Sequence, residues 1–137
     1  MFTTLNTTLY RIVFEEHVDA VLDGVIHEEG RFHYARQTAL YASPSPETAA
    51  IAIKVYLKPD DAARLMVPLR LRDARMVDLR QPETCEALNI DPAWPSVAWA
   101  DQRAAGVRAT SWRASDAVRA TGADGMIYAS RRVPERW

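Results

Sequence analysis

The stretch at 30–50, "GRFHYARQTALYASPSPETAA", holds residues whose types and spacing could serve chemistry. Arg31 follows a glycine, Tyr41 comes ten residues later, and Ser45 lies in a proline-framed turn. A guanidinium binds phosphate or carboxylate oxygens in bidentate fashion and keeps its charge at any relevant pH. A tyrosine adds an aromatic face and a hydroxyl. Each residue also has an ordinary role as a solvated or half-buried side chain, but their order predicts a shared ligand.

The composition limits the class of protein. The 137 residues are enough for one domain, 1–137, with a buried core. The formal net charge of −1 gives no overall attraction to nucleic acid or to an anionic membrane. The single cysteine, Cys85, excludes an internal disulfide and is typical of a reducing compartment. The N-terminal stretch shows no signal peptide and no apolar run approaches membrane-spanning length, so we expect a cytoplasmic protein.

Several common reaction types lack their motifs in this sequence. It contains no Gly-rich phosphate loop and no Gly-x-Ser-x-Gly nucleophile motif. The histidines at 17, 27 and 33 do not have the spacing of metal ligands, so no metal is expected. Cys85 lies in "PETCEAL", a predicted short helix without a nearby histidine, which favours a buried structural thiol.

Hydrophobic periodicity and capping signals predict the elements that must position the candidate residues. A helix is predicted to begin at Pro46, with Ser45 as its N-cap and Glu47 in its first turn. Further helices are predicted over 15–25, 96–107 and 111–122, the last ended by a glycine. Strands are predicted over 9–14, 38–43, 65–71, 75–79 and 124–130. Because strands and helices do not strictly alternate along the chain, we expect an α+β domain with a mixed or antiparallel sheet and flanking helices.

Four segments occur in the order seen in RES domains: "LYRIV" at 9–13, "GRF" at 30–32, "ALYAS" at 39–43 and "DGMIYAS" at 124–130. The sequence resembles that family over nearly its whole length. The family's members are toxins of bacterial toxin–antitoxin pairs, with a fold similar to ADP-ribosyltransferases of the diphtheria-toxin type. The resemblance therefore implies NAD as the substrate and an antitoxin protein as a partner. Known members destroy NAD by hydrolysis or phosphorolysis, or attach ADP-ribose to a protein of nucleotide metabolism.

The resemblance assigns roles to individual residues. Arg31 matches the arginine of the family's Gly-Arg-Trp-Asn motif, although phenylalanine and histidine stand here for its Trp and Asn. Arg11 matches the arginine of the first strand, and both arginines are expected to bind the NAD pyrophosphate. Tyr41 and Ser130 match the tyrosine of the second strand and the serine of the last, and are expected at the nicotinamide and ribose. The family usually runs on through another strand after "RRVPERW", so the resemblance implies truncation or completion by a partner.

The family glutamate falls eleven residues after Tyr41, where this chain has Ala52. Nicotinamide–ribose cleavage passes through an oxocarbenium-like state that a carboxylate stabilises, and an alanine cannot do this. Thr48 shares the predicted helical face of Ala52, Lys54 is the alternative if the register differs, and Ser43 completes the expected NAD-binding set. Three functions remain open: a protein mono-ADP-ribosyltransferase, slightly favoured, an NAD glycohydrolase or phosphorylase, and a non-catalytic binding module.

Overall fold

A three-stranded mixed sheet forms the framework of the computed structural model, which describes residues 1–131. Strand β1 (Phe2–Phe14) pairs antiparallel with β2 (Arg64–Asp78), and β3 (Gly125–Ile127) pairs parallel with the end of β2. Short helices flank this sheet, which confirms the expected α+β class.

Four α-helices lie within the described residues: α1 (Pro46–Ile53), α2 (Pro82–Ala87), α3 (Trp99–Ala104) and α4 (Ser111–Ala120). The 3-10 segments are Glu15–Asp23, Lys54–Tyr56 and Trp94–Ser96. The predicted start of α1 is confirmed, because the Ser45 hydroxyl accepts a hydrogen bond from the Thr48 amide at 3.1 Å. None of the helices described up to residue 131 is long and apolar enough to cross a membrane.

Two helix predictions extended too far. The segment predicted as a helix over 15–25 forms a kinked 3-10 helix, and none of its side chains is buried. Because these side chains are not buried, the apolar residues at helical spacing contribute little of the packing energy that would stabilise an α-helix. The helix predicted over 96–107 is only α3, because the chain turns at Gly106 with a φ of 75°. The helix over 111–122 is confirmed as α4, followed by Gly122 at a φ of 75°.

The strand predictions were wrong in three places. The 38–43 segment is extended but has only an isolated bridge, between Ser43 and Tyr10. The segments predicted as separate strands at 65–71 and 75–79 belong to β2, with residue 79 just beyond its end. Asp73 has a positive φ of 48°, yet its amide donates to the Asn6 side chain at 2.8 Å where the register of β1 shifts. Residues 72 and 73 of β2 thus oppose the single residue Asn6 of β1, so β2 carries a bulge and the pairing continues on both sides of it. The last strand ends at Ile127, not at 130.

The main core lies between the end of β2, α2 and α4. Its buried residues are Val77, Leu79, Cys85, Ile90, Ala114 and Val118. The Cys85 thiol donates to the Leu79 carbonyl at 3.3 Å, and burial raises the pKa of this thiol. This confirms the buried structural thiol. Residues 132–137 lie outside the described part of the chain, and so does the continuation that the family resemblance implies after them.

Candidate functional site

The turn that carries Arg31 is held in place by α4. Three side chains of this helix donate to three successive carbonyls of the turn: Trp112 Nε1 to Gly30 at 2.8 Å, the Ser111 hydroxyl to Arg31, and Arg119 Nη1 to Phe32 at 2.9 Å. A second bond of Arg119, at 3.3 Å, goes to the carbonyl of Thr38. Polar backbone groups that are taken from water need such partners. The turn is therefore ordered by contacts with a distant part of the chain.

The Arg31 guanidinium is partly buried and its hydrogen bonds go to a carbonyl. Its Nε and Nη2 donate to the Pro95 oxygen at 2.9 and 2.7 Å. Its central carbon lies 4.8 Å from the ring centroids of both Phe32 and Tyr128. Within residues 1–131 it forms no ion pair with a carboxylate. Burial lowers the pKa of Arg31 to about 10, and the charge of Arg131 acts in the same direction. Arg31 is thus a desolvated cation that still carries its charge at neutral pH.

Tyr41 lies against this turn. Its hydroxyl oxygen accepts from the Phe32 amide at 2.9 Å and is 2.8 Å from Nδ1 of His33. Burial raises the pKa of Tyr41 to about 12, although the Phe32 amide and the charges of Arg119 and Arg31 act in the opposite direction. The same electrostatic neighbourhood includes Tyr128, so Arg31 and the two tyrosines are close together.

Arg11 provides a second desolvated guanidinium, on β1. Its Nη1 atom is buried without a hydrogen-bond partner, and burial lowers the pKa of Arg11. The neighbouring Tyr10 exchanges two backbone hydrogen bonds with Ser43, at 2.7 and 2.8 Å. Ser43 follows Tyr41 by two residues. The described contacts therefore connect Arg11 to the Arg31 region through the backbone of the 41–43 segment.

The remaining predicted residues lie further along the chain. Thr48 is buried, and its hydroxyl bonds with Ser45 at the start of α1, at 2.9 Å. Ala52 and Lys54 are exposed, near the end of α1 and in the following 3-10 turn. Ser130 is half-buried beyond β3. No described contact joins Ala52 or Lys54 to Arg31, so their roles in a site stay predictions.

Three residues at the site were not predicted from the sequence. Tyr128 could have been found, since it lies two residues before Ser130, and alternate residues of an extended segment point to the same side. Arg119 lies seven residues after Trp112 and shares its helical face, but nothing local shows which segment that face contacts. His33 was recognised only as a substitution for the family's asparagine. Its role depends on contacts with Tyr41 and with the His27 carbonyl.

The arrangement suits an anionic ligand that also carries a planar ring. The cationic charge of Arg31 has no anionic partner in the described chain, and aromatic rings adjoin it. Within residues 1–131, no group of three or more His, Cys, Asp or Glu side chains could hold a metal ion.

Comparison with known families agrees with the α+β domain described above. The family model of the RES domain matches residues 8–137, so the chain belongs to the RES domain family. This confirms the resemblance seen in the sequence. RES domains are associated with NAD-related toxin–antitoxin systems and with NAD-utilising enzymes in general. Searches of curated proteins and of solved structures found no match.

Proposed function

We propose that this protein is the toxin of a type II toxin–antitoxin pair and that it binds NAD at Arg31. In this proposal it breaks the nicotinamide–ribose bond and transfers ADP-ribose, with a protein as the preferred acceptor. The observation that carries the proposal is the Arg31 guanidinium, which is desolvated, charged and without a carboxylate partner in the described chain. Membership of the RES family supports NAD as the anion that fills this place.

The geometry of Arg31 supports binding of a phosphate. One edge of its guanidinium, Nε and Nη2, is occupied by the Pro95 carbonyl. The remaining N–H groups of Nη1 and Nη2 form a second fork, which matches two oxygens of one phosphate. The charge of Arg131 is close enough to influence Arg31, and Arg11 supplies a further desolvated guanidinium. Three cations thus favour the two phosphates of NAD.

The aromatic residues support binding of the nicotinamide end. The Tyr128 ring lies next to the Arg31 guanidinium, and the ring of Tyr41 is in the same neighbourhood. Such rings provide faces against which a planar nicotinamide stacks. Ser130 follows Tyr128 by two residues, and we propose that its hydroxyl bonds to the carboxamide or the ribose.

The proposed reaction breaks the bond between nicotinamide nitrogen and ribose C1′. Nicotinamide leaves as a neutral molecule, a nucleophile of the acceptor bonds to C1′, and the nucleophile loses its proton. Carboxylates near the turn are already engaged, since Glu29 pairs with Arg103 at 3.0 Å and Asp116 pairs with Arg108 at 2.7 Å. With Ala52 at the family glutamate position, activation of water is weak. A protein acceptor that positions its own nucleophile compensates through proximity, which favours protein modification.

Two other functions remain as candidates. An NAD glycohydrolase or phosphorylase would use water or phosphate as the acceptor at the same Arg31 site. A non-catalytic module that binds NAD or a partner is favoured by one specific observation, the alanine at position 52. Both candidates retain Arg31 as the anion-binding residue. They are therefore distinguished from the protein ADP-ribosyltransferase by the product that forms, or by the absence of a product.

The proposed biological setting follows from family membership. We expect a cognate antitoxin protein as the partner and, for the transferase, a target protein of nucleotide metabolism. The near-neutral net charge of −1 gives no support for direct binding of nucleic acid. The proposed location is the cytoplasm, where NAD is available.

Incubation of the purified protein with labelled NAD and a cell lysate distinguishes these functions. One discrete labelled protein band indicates a transferase, free ADP-ribose a glycohydrolase, and a phosphorylated ADP-ribose a phosphorylase. NAD binding in calorimetry without any product indicates the non-catalytic module. Arg31→Ala should strongly weaken whichever signal is seen, whereas Arg108→Ala, which removes a paired arginine, should retain it. Absence of NAD binding by the folded wild-type protein would overturn the proposal.

A further inference from the structure

We propose that Tyr41 and His33 are positioning residues, which hold Arg31 in place, and that the Tyr41 hydroxyl does not contact the ligand. This inference rests on the proposed function, because it concerns how the same site is organised. It changes the role expected for Tyr41 from its family position, where it was a direct ligand of NAD.

The hydrogen bonds of His33 determine where its protons lie. Nε2 of His33 is 2.9 Å from the His27 carbonyl oxygen, which can only accept. In the neutral imidazole one nitrogen donates and the other accepts, so Nε2 carries the proton and Nδ1 is the acceptor. The Tyr41 hydroxyl, 2.8 Å from Nδ1, must therefore donate its proton to His33. His33 is 1% exposed, so this bond is shielded from water.

The Tyr41 hydroxyl has little capacity left for a ligand. It donates to His33 and accepts from the Phe32 amide at 2.9 Å. The backbone of Gly30 closes the remaining side: a Cβ atom there would lie 3.2 Å from the Tyr41 oxygen and 2.3 Å from Cε1 of His33. The burial that raises the pKa of Tyr41 to about 12 agrees with this enclosure. The hydroxyl is surrounded by the turn that it supports.

The consequence for Arg31 follows from one peptide unit. The peptide that links Arg31 to Phe32 is held at both ends, because its carbonyl accepts from the Ser111 hydroxyl and its amide donates to Tyr41. The preceding peptide is held as well, by Trp112 at the Gly30 carbonyl, and fixing both planes fixes the direction in which the Arg31 side chain leaves the backbone. The guanidinium then reaches the Pro95 carbonyl and the two flanking rings. His33 supports this arrangement by orienting the Tyr41 hydroxyl.

Calorimetry with NAD and ADP-ribose tests whether Tyr41 acts through Arg31. Tyr41→Phe should weaken binding of both nucleotides by the same factor, about ten-fold, as expected for the loss of one hydrogen bond that orders the site. In the Arg31→Ala background the same substitution should cause no further loss. A loss confined to NAD would show that the hydroxyl contacts nicotinamide, and additive losses would show a direct ligand contact. Either result overturns the inference.

The His33 variants and a matched tyrosine provide the controls. His33→Asn retains an acceptor at the position of Nδ1 and should preserve nucleotide affinity, whereas His33→Leu should reproduce the effect of Tyr41→Phe. Tyr34→Phe removes a nearby hydroxyl that bonds with Asp116 instead, and should leave the affinity unchanged. Equal losses of nucleotide affinity in His33→Asn and His33→Leu would contradict the role of His33 as the acceptor for the Tyr41 hydroxyl.

Nuclear magnetic resonance tests the same inference without a ligand. The Arg31 Nε–H proton should exchange slowly with water in the wild type, because it is bonded to Pro95, and at least about ten-fold faster in Tyr41→Phe. The His33 nitrogen shifts should show the Nε2–H tautomer. Unchanged exchange of the Arg31 proton in Tyr41→Phe would overturn the inference. If the wild type binds neither nucleotide while the exchange behaves as expected, the NAD proposal fails and the positioning role stands.

Discussion

Two groups of arginines lie in different regions of this protein. Around α4 and the end of β2, arginines pair with carboxylates: Arg80 with Asp78, Arg103 with Glu29, and Arg108 with Asp116. The bonds to Asp78 and Glu29 raise the pKa of Arg80 and Arg103, and the hydrogen bond with Tyr34, together with Asp116, raises the pKa of Arg108. At the candidate site, burial instead lowers the pKa of Arg11 and Arg31, which have no carboxylate partner within residues 1–131. The same residue type therefore bonds with carboxylates of the fold in one region and, in the other, is buried without a carboxylate partner within residues 1–131, where we propose an external anion.

A desolvated cation without a counter-charge lowers the stability of the folded state. Proteins retain such costs where function requires them, because activity and stability often conflict. The two groups of arginines should therefore respond differently to substitution. Removal of a site arginine should harm binding, and removal of a paired arginine should harm folding.

The largest effect is expected from Arg31→Ala. A charged hydrogen bond contributes about 1.5–3 kcal/mol, so NAD affinity should fall by roughly ten- to more than a hundred-fold. Arg108→Ala should leave the affinity unchanged, because Arg108 pairs with Asp116. Calorimetric titration of both variants makes the measurement. Equal affinities of wild type and Arg31→Ala would show that the unpaired guanidinium is not the anion site.

The second effect is on the free energy of unfolding, which should rise when Arg11 is replaced and fall when Arg108 is replaced. Arg11→Met should raise the free energy of unfolding by about 1 kcal/mol, because it removes a buried, unpartnered Nη1 while keeping the apolar stem. Arg108→Met should lower it by at most about 1 kcal/mol, as for a largely exposed ion pair. Urea denaturation of both variants provides the comparison. A destabilised Arg11→Met would show that Arg11 is a structural residue.

The paired region should also determine how the fold responds to acid. The bonds from Arg80 hold the pKa of the Asp78 carboxyl below its usual range. This contribution to stability is present above the ordinary carboxyl pKa and is lost as the pH falls through the lower folded-state value. Asp78→Asn should therefore flatten the loss of stability below about pH 4. Denaturation curves at several acidic pH values test this, and an unchanged slope would remove Asp78 from the explanation.

The smallest effect on the fold is expected from Ala52→Glu. Ala52 is exposed near the end of α1, which excludes the alternative that a charge there would be buried in the core. The free energy of unfolding should change by no more than about 0.5 kcal/mol. NAD turnover should increase, and toxicity in cells should increase unless the antitoxin is co-expressed. Ala52→Gln, which adds the same length without charge, should not reproduce this gain. Unchanged turnover in Ala52→Glu would mean that position 52 does not correspond to the family glutamate.

Local signals in the sequence predicted the elements whose ends are set locally. Ser45 caps α1 and Gly122 follows α4, because a hydroxyl acceptor and a residue tolerant of positive φ are needed at those positions. The bulge of β2 at Asp73, opposite Asn6, could not be predicted, since it depends on two strands meeting in one register. The 38–43 segment has strand-like residues but only an isolated bridge at Ser43 and one further backbone bond, from the Val25 amide to the Ala39 carbonyl.

The candidate site was predicted only in part for the same reason. Arg31 and Tyr41 were found through their family positions, and the structure brings them together. The aromatic neighbour Tyr128 and the supporting Arg119 were missed because their roles arise from contacts across the fold. The expected roles of Ala52, Lys54 and Ser130 still depend on the family resemblance.

The bonds from α4 to the Arg31 turn also set the moment at which the site can exist during synthesis. The donors to the three carbonyls lie 80, 82 and 87 residues after their acceptors. A growing chain on the ribosome exposes Arg31 long before these side chains have been added. Until Arg119 has emerged, the turn lacks the partners that order it. Whatever Arg31 binds is therefore bound only after α4 has been synthesised, and shortened chains that end before α4 carry the arginine without the site.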